Sequence, residues 1–261
     1  MVTVPSTRPA RSTLAQPLGN GVSLVDPLYV RPGLAASHLV VDDGRAAFVD
    51  TGAAPAAPRL LAALDELGID RAQVDYLFLT HVHLDHAGGA GQLMQALPNA
   101  KAVLHPRGAP HLVDPSKLVA GSIEVYGKAL YEQLYGEILP IPADRVIVTE
   151  DRQRLRRRTF EFFDAPGHAR HHHCPVDLDH REVYSGDNFG ICYRDFDTAA
   201  GPFMLPTTTP VQFDLDTLHA TIDRLMSYAP ARVFQTHFGP VTDLERLCRD
   251  LHAALVELVR I

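Results

Sequence analysis

The chain has few cysteines, no tryptophan and no long hydrophobic run. Its three cysteines, Cys174, Cys192 and Cys248, are an odd number at wide spacing without a CxxC pair, which argues against a disulfide framework or a thiolate zinc site. No stretch of eighteen apolar residues occurs, and the first twenty residues lack the continuous apolar segment of a secretory signal. We therefore expect a soluble, cytoplasmic protein with reduced thiols.

An excess of basic charge is also missing. The formal net charge is −7, which provides no general field to attract nucleic acid or an anionic membrane. Five arginines do cluster between residues 152 and 158, and we interpret them as a solvated strand face. The expected partner is a small-molecule substrate, with no nucleic acid and no membrane.

The length and pattern of the chain indicate one α/β domain over residues 21–261, preceded by a flexible leader over residues 1–20 that is rich in Pro, Ser, Thr and Arg. A hairpin signal stands at Asp43-Gly44. Apolar runs predict later strands at 74–80, 101–104, 145–149, 157–164, 183–185 and 232–235. Helical spacing of apolar residues predicts helices at 56–67, 87–97, 123–139, 215–227 and 242–259.

Histidine is abundant, with fourteen residues, and neutral imidazole is the commonest metal ligand in proteins. The segment HVHLDH follows the apolar run 74–80 and holds His81, His83, Asp85 and His86. Alternate residues of an extended segment face the same side, and His86 swings in as the chain turns toward a helix. Burying these side chains together without a partner would be costly, so the motif predicts a metal site.

Three further residues of metal-ligand type each follow a predicted strand: His168 in PGHA, Asp187 in SGDN and His237 in THFG. Loops at the carboxyl edges of strands gather to form sites, so we expect these residues to join the HxHxDH cluster. His171, His172 and His173 come soon after, but adjacent side chains on a strand alternate between two faces, which favours a structural role for them.

In this order, HxHxDH, then His, Asp and His, the chain resembles the metallo-β-lactamase superfamily from Gly21 to the C-terminus. The resemblance implies an αββα sandwich with two divalent metal ions at the sheet edge, zinc being favoured and iron or manganese possible alternatives. One metal would be held by His81, His83 and His168, and the other by Asp85, His86 and His237. Asp187 would bridge them, and Asp50 would support the site by orienting a ligand. A homodimer is a family-level expectation.

The chemistry that this resemblance implies is hydrolysis of a small ester, thioester or lactone by a hydroxide shared between two metals. Asp85 is the predicted catalytic residue, which orients that water and passes a proton to the leaving group. The predicted pocket wall is the segment from Leu118 to Leu139 together with Phe196, Phe203 and Met204. The substrate itself is not predicted.

Differences between this sequence and the family patterns reduce the number of superfamily branches to which it can belong. Asp187 stands where one class of true β-lactamases has Cys, and His83 stands where flavodiiron proteins have Glu, so both branches are disfavoured. Glyoxalase II continues much further after its last ligand than residues 238–261 allow. A lactonase stays open, with Tyr193 as the nearest candidate for its tyrosine. The segments FMLPTTTPVQFD and QTHFGPV resemble a glyoxalase-II-like subgroup of metal-dependent hydrolases.

Three alternatives remain from other classes. A persulfide dioxygenase keeps a similar loop but uses one iron on residues that match His81, His168 and Asp187. A nuclease of the RNase Z type would require a basic substrate-binding arm. The third is a metal-binding protein without catalysis. This is typical of superfamily members that have lost metal ligands, whereas all seven ligand residues are present here.

Overall fold

Two β-sheets form the centre of the molecule. The structure, a computed structural model, describes residues 13–149, 152–208 and 212–260. The first sheet has seven strands in chain order. These are β1 (Ala15–Gly19), β2 (Val22–Val25), β3 (Ser37–Asp42), β4 (Arg45–Val49), β5 (Val74–Phe78), β6 (Lys101–Leu104) and β7 (Val146–Val148). The first four strands pair antiparallel, and β4 to β7 pair parallel.

The second sheet has six strands. They are β8 (Gln153–Leu155), β9 (Arg158–Asp164), β10 (His173–Asp177), β11 (Glu182–Gly186), β12 (Arg232–Gln235) and β13 (Gly239–Val241). Their spatial order is β13-β12-β11-β10-β9-β8, with only β11 and β12 parallel. This arrangement points the carboxyl ends of β9, β11 and β12 toward one edge.

Eight α-helices lie within the described residues. They are α1 (Ala57–Leu67), α2 (Leu84–Ala87), α3 (Ala90–Ala96), α4 (Ala109–Val113), α5 (Ser116–Tyr126), α6 (Lys128–Tyr135), α7 (Leu215–Ser227) and α8 (Leu244–Val259). None of them is long and apolar enough to cross a membrane.

The core is built in layers that follow the alternation of side chains along the strands. Phe48 of β4 packs outward against α1 and α3, whereas Val49 packs inward against the second sheet. Val183 of β11 likewise packs outward against α7 and α8, whereas Tyr184 faces the first sheet. Helices therefore cover the outer face of each sheet, and the predicted αββα sandwich is confirmed.

Two predicted boundaries are wrong. The ordered chain begins before Gly21, because β1 pairs with β2 at residues 15–19; the rest of the predicted leader that lies in residues 1–12 is outside the described part of the chain. The helix predicted over 123–139 is two helices, because Gly127 adopts φ 74° and ψ 151° between α5 and α6. Tyr131 and Tyr135 of α6 are buried, whereas Leu130 of the same helix is exposed.

Candidate metal centre

The HxHxDH segment lies on the turn between β5 and α2. Residues 79–83 connect β5 to α2 with a bend at Thr80, and His83 is the extended N-cap of α2 with φ −61° and ψ 144°. Asp85 and His86 follow in the first helical turn, so that the short helix redirects them toward the two preceding histidines. The local change from strand to helix thus brings four ligand-type side chains together.

The other three ligand-type residues come from the second sheet. His168 follows β9, Asp187 follows β11 and His237 follows β12. Gly186, with φ 49°, precedes Asp187; a Cβ at this position would collide with His172 and Thr80. A side chain there would therefore keep the turn from packing so closely against the first sheet. All seven residues named from the sequence lie at this one edge.

Four of the seven residues form a first group. The Nε2 atom of His81 lies 2.8 Å from Nδ1 of His83, which lies 3.1 Å from Nε2 of His168. Oδ2 of Asp187 is 3.2 Å from the same His168 nitrogen. One donor atom from each residue lies within 4.8 Å of every other, which is close enough for a single metal ion.

The remaining residues form a second group beside the first. Nε2 of His237 lies 3.2 Å from Nε2 of His86 and 3.4 Å from Oδ2 of Asp85. Oδ1 of Asp187, the oxygen not used in the first group, is 3.3 Å from Nε2 of His86. The two oxygens of Asp187 therefore face different groups, which is the position required of a bridging ligand.

Hydrogen bonds on the far side of the rings aim the imidazoles at these groups. Nδ1 of His81 contacts the hydroxyl of Thr80 at 3.1 Å, Nδ1 of His86 contacts Asp50 at 2.9 Å, and Nδ1 of His237 contacts the carbonyl oxygen of Leu34. Engagement of Nδ1 leaves the Nε2 lone pair directed at the group, as in metal-binding histidines. The donor set thus fits one divalent ion in each group.

Asp50 lies behind the second group and is fully buried. Its carboxylate accepts hydrogen bonds from the Thr80 amide at 2.8 Å and the Thr236 hydroxyl at 2.7 Å, in addition to its contact with His86. The sequence pointed to Asp50 but not to the two threonines. The sequence does contain a pattern that could have indicated these threonines, because each of them immediately precedes a ligand-type histidine in a TH pair.

The electrostatics differ between the two groups. Burial, followed by the neighbouring imidazoles, lowers the pKa of His81 far below its usual value and the pKa of His83 to about 3. Both rings are therefore neutral near pH 7, which is the form that binds a metal. Burial also acts on His86, but the carboxylates of Asp187 and Asp85 outweigh it and raise the pKa of His86. Carboxylate charge is thus concentrated in the second group.

The histidine tract 171–173 is held by protein partners. Nδ1 of His172 contacts the side-chain amide of Asn188 at 2.9 Å, and its Nε2 accepts from the Asp187 amide at 3.3 Å. Nε2 of His173 contacts the carbonyl oxygen of Leu79 at 2.7 Å. These bonds give His172 and His173 the structural role that the sequence favoured, and His172 contacts the backbone of Asp187.

Two clefts open onto the metal-ligand groups, and the predicted pocket wall is right only in part. The first cleft lies beside His237, and the second lies beside His83. The second cleft is lined by four residues of the predicted segment 118–139, namely Leu118, Ser122, Tyr126 and Tyr135. Phe203 and Met204 instead line a separate cavity against α8, and Phe196 lines neither cleft. Other lining residues come from loops and were not predicted from the sequence, namely Tyr29, Leu34, Ile191, Pro206, Thr207 and Thr208.

Several arginines of the run 152–158 pair with acidic side chains. Arg158 is buried and pairs with Asp177 at 2.9 Å. Arg152 pairs with Glu161 at 2.7 Å, and Arg157 lies 3.3 Å from Asp42. Three of the five arginines thus have acidic partners among the described residues.

The fold and the site together define an α/β sandwich protein with a histidine- and aspartate-rich metal centre. The chain belongs to the metallo-β-lactamase superfamily, whose family model matches residues 30–237. Among curated proteins it is 28% identical over 176 residues to the metallo-beta-lactamase fold-containing protein ST1585 of Sulfurisphaera tokodaii, covering 65% of this chain and 62% of that protein. It is 30% identical over 161 residues to a hydroxyacylglutathione hydrolase of Klebsiella pneumoniae, covering 61% of this chain and 49% of the relative.

Solved structures show the same fold. The crystal structure of ST1585 from Sulfolobus tokodaii has a TM-score of 0.71 at 24% identity and covers 88% of this chain and 86% of that one. The metallo-beta-lactamase family protein TTHA1429 from Thermus thermophilus has a TM-score of 0.67 at 21% identity, with 94% and 81% covered. The chain spans between about half and two thirds of the length of the curated relatives described above.

Proposed function

We propose that the protein hydrolyses a small ester, thioester or lactone with two divalent metal ions, for which we favour zinc, held in the two groups. The observation that carries the proposal is the completeness of both groups, with His81, His83 and His168 on one side of Asp187 and Asp85, His86 and His237 on the other. When bound, such ions lower the pKa of water toward ~7 and polarise a carbonyl oxygen.

Asp85 is the residue of the chain best placed for proton transfer. Its carboxylate lines both clefts, so it faces an entering substrate as well as His237. Burial works against its ionisation, but the adjacent His86 and His237 outweigh burial and lower the pKa of Asp85. The carboxylate is therefore ionised and able to accept a proton from the attacking water and deliver it to the leaving group.

The surrounding residues fix the ligands so that they need not reorganise. Asp50 holds the ring of His86, and Thr80 contacts both Asp50 and His81. Because Thr236 also donates to Asp50, one buried carboxylate links ligand-bearing loops from both sheets. This network keeps the donor atoms in place before the substrate arrives.

The test is the replacement Asp85→Asn in zinc-loaded protein, assayed against a panel of 4-nitrophenyl esters, aliphatic thioesters and γ-lactones. We expect kcat to fall by at least about 10²-fold, the usual contribution of a positioned acid or base. Metal content and circular dichroism are measured on the same samples. Unchanged turnover by a folded, metal-loaded Asp85→Asn protein would contradict the role of Asp85.

The alternative from sequence, a mononuclear-iron persulfide dioxygenase, needs only His81, His168 and Asp187. Such a dioxygenase keeps a similar HxHxDH loop, so what favours the dinuclear hydrolase is that His237 joins Asp85 and His86 of this loop in a second complete group. Oxygen uptake with glutathione persulfide by iron-loaded protein separates the two: uptake with no ester hydrolysis would replace our proposal.

A further inference from the structure

The two clefts meet at the metal-ligand groups, and four residues line both of them. They have volumes of about 300 Å³ and 280 Å³ and share Asp85, His168 and Asp187. Tyr29 lines both, and its ring lies 6.0 Å from the ring of Tyr135. A substrate whose carbonyl sits at the groups can therefore extend one part into each cleft.

The described residues that line these clefts are uncharged beyond the metal-ligand set. Among the described residues, no lysine or arginine lines either cleft, and the only carboxylates are Asp85 and Asp187. The other lining side chains of the first cleft are Tyr29, Leu34, Ile191, Tyr193, Pro206, Thr207 and Thr208. Those of the second cleft are Tyr29, Leu84, Leu118, Ser122, Tyr126 and Tyr135. Both clefts thus offer aliphatic, phenolic and hydroxyl groups.

Cations that are close in sequence to the lining residues are engaged elsewhere. Arg31, two residues after Tyr29, pairs with Asp195 at 2.7 Å. Arg194 donates to the carbonyl oxygen of Pro240 at 2.6 Å. Arg170, two residues after His168, lines a different cleft. An anionic part of a substrate would therefore meet no charge-assisted donor from these side chains.

We propose, building on the hydrolytic function above, that the substrate is an uncharged ester or lactone and that its two ends bear no carboxylate or phosphate. A carboxylate that leaves water for a cleft without a cationic partner loses its hydration and gains no equivalent bond. The same reasoning disfavours thioesters of glutathione, which carries carboxylates. The substrate named for the hydroxyacylglutathione hydrolases therefore does not suit this site.

The first experiment measures binding, so it does not depend on turnover. Hexanohydroxamic acid and its analogue with a carboxylate in place of the terminal methyl share a metal-binding head and differ in the charge of the tail. Calorimetry with zinc-loaded protein at low ionic strength should show the carboxylate probe binding at least about tenfold more weakly. Equal or tighter binding of the carboxylate probe would overturn the inference and leave the proposed hydrolase standing. Binding of neither probe would refute the metal site, and this inference with it.

Variants then test whether the cleft lining causes the preference. Thr208 is exposed in the first cleft and Ser122 is half-buried in the second, so a lysine fits at either position. Thr208→Lys or Ser122→Lys should raise the affinity for the carboxylate probe relative to the neutral probe by about tenfold, depending on which cleft holds the tail. Thr208→Gln and Ser122→Gln, which add length without charge, should keep the native ratio. If neither lysine changes the ratio, the lining charge does not set the preference and the inference is wrong.

Discussion

Replacing Asp50 with asparagine changes one charge at the point where the two sheets are tied to the metal centre. The native carboxylate accepts from His86 at 2.9 Å and Thr236 at 2.7 Å through Oδ2, and from the Thr80 amide at 2.8 Å through Oδ1. Asparagine has nearly the same shape but accepts through only one oxygen, so its NH₂ group faces a donor on the other side. His86 loses either its hydrogen bond or the charge that orients it.

The expected magnitude follows from this geometry. Loss of an oriented partner behind a metal-binding histidine typically lowers metal affinity 10- to 100-fold, which is about 1.4–2.7 kcal/mol. Asp50 contacts His86 directly and reaches His81 only through Thr80. The zinc affinity of the second group should therefore fall the most. The first group should lose less affinity.

The assay is a two-step zinc titration in competition with a chromophoric chelator. Asp164→Asn is the matched control, because Asp164 also contacts a histidine, His105 at 2.9 Å, but lies outside both groups. Two zinc affinities within about twofold of native in Asp50→Asn, or an equal loss in Asp164→Asn, would refute the orienting role of Asp50.

Two further predictions concern stability and are measured by urea unfolding. His38 is 2% exposed, and burial lowers its pKa to about 4, below the unfolded value of about 6.5. The unfolded chain therefore binds the proton first, and stability falls as the pH drops from about 6.5 toward 4; by pH 5 this loss is about 2 kcal/mol. His38→Phe should lack that part of the loss, and equal losses between pH 7 and pH 5 in both proteins would contradict it. In α3, Gly91→Ala places a Cβ against the carbonyl oxygen of Leu139 and should destabilise the protein by roughly 1–3 kcal/mol. In α5, Gly121→Ala meets nothing within 4 Å and should stabilise by about 0.5–1 kcal/mol, so changes of the same sign in the two variants would count against the packing described here.

The metal-ligand set could be read from the sequence because its signals are local. His81, His83, Asp85 and His86 lie in six consecutive residues after a strand, and the three later ligands each follow a strand end. Strand ends that share an edge are bound to meet once the sheets form. The αββα layer order, in contrast, came from the resemblance to the metallo-β-lactamase superfamily and not from a local pattern. The predicted homodimer and the identity of the metals stay predictions.

The clefts could not be read in this way because their walls depend on contacts between distant loops. Tyr29 is flanked by Leu28 and Val30, which have φ values of 57° and 59°, a conformation that no residue type there signals. The break at Gly127 lies inside a continuous apolar pattern, so periodicity alone predicted one helix where there are two. Contacts between residues that are far apart in the sequence therefore determine the walls of the two clefts.

The most direct test of the central claim is elemental analysis of the purified protein, expressed as metal equivalents per chain. Two complete donor groups that share Asp187 predict close to two equivalents of zinc, or of a mixture of zinc and manganese. Close to one equivalent of iron, with no second metal after loading, would contradict a dinuclear hydrolase and favour dioxygenase chemistry.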